Sequence, residues 1–224
     1  NQPYEYNTNM NWSKYQNFYI PQTIKTVIMS NKLTKIPNMA FARCTFIDDY
    51  VFPTETKFTI GFYSFADNTQ LTEFVVPKNC TVTEEGMLYG CYNLAELTMP
   101  HVGRNVNATS GSQSYMGYIF SNKSYDKSYQ AWGDYGYGYV PNALIKLHIT
   151  NETTIRRYSI GYWYKLQVLE ISNTVQTIGY SAFYRLYALR ELTIPFIGAS
   201  RTSSGKDGIL VYVLRGYDNS AGQY

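Results

Sequence analysis

TIGYSAFYRLYALRELTIP, residues 177–195, is the stretch whose reading decides the fold. Its last residues place Leu192 and Ile194 on one side of an extended chain, with Thr193 opposite and Pro195 as a stop, the pattern of a short half-buried strand. The same ending recurs as FIDDYVFP up to Pro53, LTEFVVP up to Pro77, LAELTMP up to Pro100 and LQVLEIS up to Ser172. Within the two arrays these endings lie 24, 23 and 23 residues apart. A fixed period of this size marks a repeated supersecondary unit.

Setting the units in register makes further columns apolar. Ile47, Leu71, Leu94, Leu166 and Leu189 stand six residues before the ending; Tyr50, Phe74, Leu97, Leu169 and Leu192 stand three before it; Phe52, Val76, Met99, Ile171 and Ile194 follow. Upstream, Phe41, Phe65, Leu88, Ile160 and Phe183 form one more column, and Ile36, Ile60, Ile155 and Ile178 another, in which Thr83 is the polar member. No single unit can bury these side chains by itself, so the columns require units stacked into one continuous core. The expected fold is an α/β-type repeat solenoid of about 23 residues per coil, its short strands paired in parallel about 4.8 Å apart.

Together with KIPNMAFARCTFIDDYVFP (35–53) and FTIGFYSFADNTQLTEFVVP (58–77), the opening stretch resembles the BspA-like, bacterial surface antigen type of leucine-rich repeat. The resemblance covers residues 20–100 and 140–195, with Trp163 and Leu186 departing from it at the cysteine column and Thr83 at the isoleucine column. It implies a secreted or surface-displayed, adhesin-like protein in which the repeats are scaffold, and it carries over no catalytic residue.

Between Pro100 and Pro141 the period is interrupted by a Tyr/Gly/Ser-rich island, and a similar segment follows Pro195. The openings TMPHVG and TIPFIG correspond, as do MGYIFS and VYVLRG farther on, while NWSKYQNFYIP near the start parallels WGDYGYGYVP. The expected organisation is therefore the end of an island over 1–19, a repeat array over 20–100, an island over 101–139, a second array over 140–195 and the start of a further island over 196–224. From Pro21 to Pro141 one super-repeat is 120 residues. Such matching ends suggest a unit cut from a longer array, or a subunit that associates end to end.

The 19 basic and 16 acidic residues are scattered, which argues against nucleic acid as a partner. No apolar run reaches the roughly 20 residues of a membrane span, and the first residues carry no signal pattern. With 24 tyrosines and 16% charged residues, solubility rests on hydroxyls and amides more than on ions. Sequons at Asn11, Asn79, Asn107, Asn122 and Asn151 would accept N-glycans in a eukaryotic secretory pathway.

Catalytic chemistry finds little support. The two histidines, His101 and His148, have no cysteine or carboxylate at metal-ligand spacing and no triad partner, and His148 reads as an outward-facing strand residue. Gly136-Tyr137-Gly138-Tyr139 lacks the lysine and the strand-to-helix setting of a phosphate loop. Cys44 and Cys91 share a column two coils apart, roughly 10 Å, beyond disulfide reach, and read as buried thiols; the bonding of Cys80 stays open. Asp49, Glu73, Glu96 and Glu191 would stack as solvated carboxylates beside basic neighbours, with a calcium ladder the lesser alternative. No metal, cofactor or enzyme is expected.

The island is the better candidate for function. Tyr115, Tyr118, Tyr125, Tyr129, Trp132, Tyr135, Tyr137 and Tyr139 crowd it, and the period of two places Tyr135, Tyr137 and Tyr139 on one face of an extended strand. Two readings stay open: rings that contact sugars or proteins, or rings that pack on the solenoid flank. The expected function is a non-enzymatic extracellular or cell-surface module that adheres to proteins or glycans of another cell or matrix. The alternative is a self-assembling subunit of an extracellular filament or surface layer.

Overall fold

The computed structural model describes residues 20–215; Asn11, most of the parallel near the start and residues 216–224 lie outside that range. Within it the chain is a parallel β-solenoid with seven front strands, at Thr26–Ile28, Asp49–Val51, Glu73–Val75, Glu96–Met99, Lys146–Ile149, Val168–Ile171 and Glu191–Thr193. The last five form one parallel sheet and the first two a separate pair. Pairing follows the sequence columns: Phe74 lies opposite Leu97, Leu97 opposite Leu147, Leu147 opposite Leu169 and Leu169 opposite Leu192. Middle residues of the strands face the core, while Asp49, Glu73, Glu96 and Glu191 face solvent. Lys146 pairs in register with Glu96, so a cation interrupts that carboxylate row.

A second set of short parallel strands runs along the rear: Lys35–Ile36, Phe58–Ile60 and Cys80–Thr83, then Thr154–Ile155 with Thr177–Ile178. Each rear strand leads into a tight segment that bonds to its neighbour along the stack, as in Phe41 N to Ser64 O at 2.7 Å and Phe65 N to Met87 O at 2.9 Å. Helix is confined, among the described residues, to Val211–Leu214 and three short 3-10 turns. The tight segments hold two left-handed residues four apart: Met39 and Arg43, Tyr63 and Asp67, Gly86 and Gly90, Tyr158 and Tyr162, Ser181 and Arg185. Glycine takes this conformation freely; the other eight adopt it because rungs above and below fix the backbone.

The apolar columns form one core. Phe65 is completely buried among Phe41, Tyr50, Phe52 and Phe74, with ring centroids 4.8–5.8 Å away. Trp163 and Leu186, the residues that depart from the cysteine column, are buried as well. Asn68, also completely buried, donates to the carbonyls of Phe41 and Phe65 at 2.7 Å and accepts from the Tyr50 hydroxyl at 2.9 Å. All three cysteines are buried free thiols, and loss of solvent pushes Cys80 and Cys91 up to about 12.

The island does not break the stack. Glu96 pairs directly with Lys146, an offset of 50 residues where Glu73 to Glu96 is 23, so the island is an enlarged coil in its regular place. Gly86 N and Leu88 N donate to Tyr118 O and Ile119 O on one side, and Met116 N donates to Ser159 O on the other. This explains Thr83: its amide and hydroxyl donate to Arg104 O and Gly103 O, both at 2.9 Å, where the neighbouring coil offers a loop instead of a strand. The segment after Pro195 folds the same way. Ile178 N meets Ala199 O, and Ser181 N and Phe183 N meet Tyr212 O and Val213 O, which stand for Tyr118 and Ile119.

Candidate binding site

The part of the enlarged coil that leaves the solenoid outline is an antiparallel hairpin, Ser128–Gly133 with Gly136–Pro141. Its second strand alternates glycine with tyrosine over Gly136-Tyr137-Gly138-Tyr139, and Asp134-Tyr135 is a two-residue turn between Gly133 and Gly136. Glycines also let it lie close to the coil. A β-carbon on Gly138 would stand 2.2 Å from Gly117 O, and one on Gly133 would stand 2.7 Å from the Tyr115 side chain. Tyr139 N donates to Ser121 O at 3.0 Å, and Asp134 pairs with Arg157 at 3.2 Å.

The candidate tyrosines separate into two groups. Tyr115 and Tyr118 are each 4% exposed, beneath the hairpin and in its supporting 3-10 segment Met116–Phe120; burial raises both hydroxyls above their ordinary value. Tyr125 packs edge-on to Tyr89 at 5.1 Å, and Tyr129 against Tyr164 at 5.8 Å. Tyr137 and Tyr139 do share one face of a strand, their rings 6.0 Å apart. Tyr135 does not join them, because it sits in the turn, where it is 58% exposed. Its place is taken by Trp132 of the opposite strand, paired in register with Tyr137, ring to ring at 5.0 Å and 44% exposed.

Sequence reasoning missed a second cluster of rings, in the second array, which meets the hairpin through Tyr129 and Tyr164. Tyr164 stacks on Tyr187 at 5.8 Å and 18°, Tyr162 meets Tyr184 edge-on at 5.2 Å, and Arg185 lies over both Tyr162 and Tyr184. The signal was available: Tyr164 and Tyr187 are one coil, 23 residues, apart. Of the described sequons, Asn107 and Asn122 are exposed, as is Asn151, whereas Asn79 turns its amide inward to Pro53 O and Thr56 O at 2.9 and 2.6 Å. His148 stands on its strand with Nδ1 3.7 Å from Glu170.

Between hairpin, 3-10 segment and preceding coil lies a cavity of about 140 Å³. Tyr115 forms part of its floor, its hydroxyl donating to Tyr137 O. The Tyr118 hydroxyl donates to Glu84 at 3.1 Å, whose carboxylate is also held by Arg104 through two bonds of 2.6 and 2.9 Å. Glu85, one residue on, accepts from Ser121 Oγ at 3.3 Å and, among the described residues, stands in no ion pair. Ser121 Oγ is in turn 3.1 Å from the Tyr63 hydroxyl. Its backbone, at φ 71° and ψ 163°, lies in a region otherwise almost reserved for glycine. Tyr135 and Asn122 form the open rim.

A family model for the BspA type leucine-rich repeat region matches residues 8–125 and 104–202, in six copies. A search of curated proteins found no match. Among solved structures, a leucine-rich cell surface protein of Faecalibacterium prausnitzii is 19% identical with a TM-score of 0.34, covering 76% of this chain and 41% of that one. A leucine-rich-repeat protein of Bacteroides ovatus is 16% identical at a TM-score of 0.28, with 78% of this chain and 55% of its own covered. One from Eubacterium ventriosum is 14% identical at 0.29, covering 88% and 79%. The chain thus spans about half the length, or less, of the first two.

Proposed function

The chain belongs to the BspA-type leucine-rich-repeat family, and on that footing we propose that it is a non-enzymatic binding module displayed at the cell surface or outside the cell. Its solenoid is the scaffold, and the hairpin of the enlarged coil presents an adhesive face to proteins or glycans of another cell or matrix. The observation that carries this reading is the aromatic face of Trp132, Tyr137 and Tyr139, mounted on strands rather than on a mobile loop. Rings with polar tips give large contact area for little conformational entropy, which is why they dominate binding hot spots. Tyr164, Tyr187 and Arg185 belong to the second cluster, in the second array.

The experiment compares the chain with a Trp132→Ser, Tyr139→Ser variant on glycan arrays, extracellular-matrix proteins and whole cells. Both substitutions are on the open hairpin face, so the circular dichroism spectrum should not change. Loss of a bound partner in the variant supports the reading. A chain that binds nothing on these panels, or a variant that binds as well as the parent, removes it.

A further inference from the structure

We propose that the cavity between the hairpin and the 3-10 segment is a subsite for a single neutral sugar residue, held by the Glu85 carboxylate and by the hydroxyl and amide groups around it. The inference rests on the binding-module reading and deepens it by naming what enters the site. Size comes first: about 140 Å³ is well below the roughly 300–1,000 Å³ of pockets that take drug-sized ligands, and suits one ring-sized group.

Chemistry then narrows the class. No lysine or arginine lines the cavity among the described residues, and the charge it contains is the carboxylate of Glu85, so phosphates, sulfates and acidic sugars are disfavoured. Tyr115 and Tyr118 have already given their hydroxyl protons, to Tyr137 O and Glu84, so their oxygens are left as acceptors. Ser121 likewise is engaged between Glu85 and Tyr63. An acceptor-rich hollow between tyrosine rings calls for a ligand with several hydroxyl donors and apolar ring faces, which is the character of a neutral pyranose.

Two further observations set this hollow apart from a packing defect. Glu84 is engaged by Arg104 and Tyr118, while its half-buried neighbour Glu85 accepts from Ser121 and, among the described residues, has no cation beside it, which leaves its remaining acceptor capacity toward the cavity. Ser121, whose hydroxyl orients Glu85, is held in the glycine-like conformation described above, and such strain concentrates at ligand clamps.

Gly136 provides the test. A β-carbon there would make ordinary contacts of 3.6 and 3.7 Å with Tyr115 and 3.9 Å with Ser112, so Gly136→Ala fills part of the cavity without a clash. The full chain is titrated with methyl glycosides of neutral hexoses and followed by saturation-transfer NMR, alongside Gly136→Ala and the isosteric Glu85→Gln. At least one glycoside should bind, with affinity reduced about ten-fold by Glu85→Gln, the scale of a lost charged hydrogen bond, and reduced by Gly136→Ala. Unchanged circular dichroism in both variants assigns the loss to the site. Absence of binding by every neutral glycoside, or equal binding by all three proteins, overturns the proposal. So does choline binding that Glu85→Gln abolishes, which would make the cavity an organic-cation site. Trp132 and Tyr139 do not line the cavity, so partner binding lost in their double variant while no glycoside enters leaves the module standing and the subsite refuted.

Discussion

Replacing His101 with phenylalanine should flatten the acid side of the stability profile. His101 opens the enlarged coil, and the residue at the corresponding place in the second island is Phe196, so the fold already accommodates phenylalanine in that role. The imidazole is 1% exposed; Nδ1 donates to Gly103 O at 3.2 Å, and Nε2 is buried with no partner among the described residues. A second proton would have to go on Nε2, where nothing accepts it, and burial accordingly lowers the group from 6.5 to about 4. Above pH 6.5 the histidine is neutral in both folded and unfolded chains and contributes no pH dependence. As pH falls from 6.5 toward 4, the unfolded chain takes up the proton and the folded chain does not, so stability declines. At about 1.4 kcal/mol for each pH unit the loss reaches roughly 3 kcal/mol by pH 4. Glu152, buried nearby with its carboxyl raised by desolvation, acts in the opposite sense, gaining its proton first in the folded chain. It is present in both proteins and cancels in the comparison. Urea midpoints at pH 7.5, 6.5, 5.5 and 4.5 measure the effect (about one pH unit apart across the window). The variant's curve should lose the decline that the parent shows below pH 6.5. Parallel curves would refute the assignment of that slope to His101.

Three other outcomes follow from the packing. Phe65→Ala, which empties the centre of a five-ring cluster, should cost about 3–5 kcal/mol in urea unfolding; a loss under about 1 kcal/mol would mean that the cluster is not close-packed. Gly138→Ala should lift the hairpin off Gly117 while leaving the front sheet intact, read as faster proteolysis within residues 128–141 with little change in the far-ultraviolet spectrum. Native protein should leave all three thiols unreactive toward a thiol reagent at pH 8, because Cys44 is raised by burial and Cys80 and Cys91 are held at about 12; urea should release three equivalents at once, and a thiol that reacts in the native protein would contradict its burial.

The coil period, the inward columns and the strand register were legible in the sequence because solenoid contacts join residues a fixed number of positions apart. Phe41 and Phe65, in one column, are stacked at 5.3 Å and 15°, as alignment alone would place them. Between the two islands the correspondence was right in kind but one residue out: MGYIFS laid on VYVLRG sets Tyr118 against Val213, whereas the hydrogen bonds between coils put Tyr212 in the place of Tyr118. Legibility stopped where contacts leave the period. Nothing local says that Glu96 will pair with Lys146 across the island, that Trp132 will replace Tyr135 beside Tyr137, or that Tyr115 and Tyr118 will be sealed under a hairpin. Those outcomes depend on where a non-repeating segment folds back on the stack.

What the sequence by itself determined is the scaffold: a repeat whose apolar columns have one way to be buried, coil upon coil. What only the tertiary structure decided is the site and the backbone it rests on. Tyr63, Tyr158, Arg43 and Arg185 carry no local preference for left-handed conformations, and Ser121 none for a glycine-like one. Rungs above and below impose those conformations, and the cooperative stack bears their cost. Glu85 and Ser121 likewise face each other across 36 residues because the enlarged coil stays in register with its neighbour, an outcome set by hydrogen bonds between coils and not by any residue's own propensity.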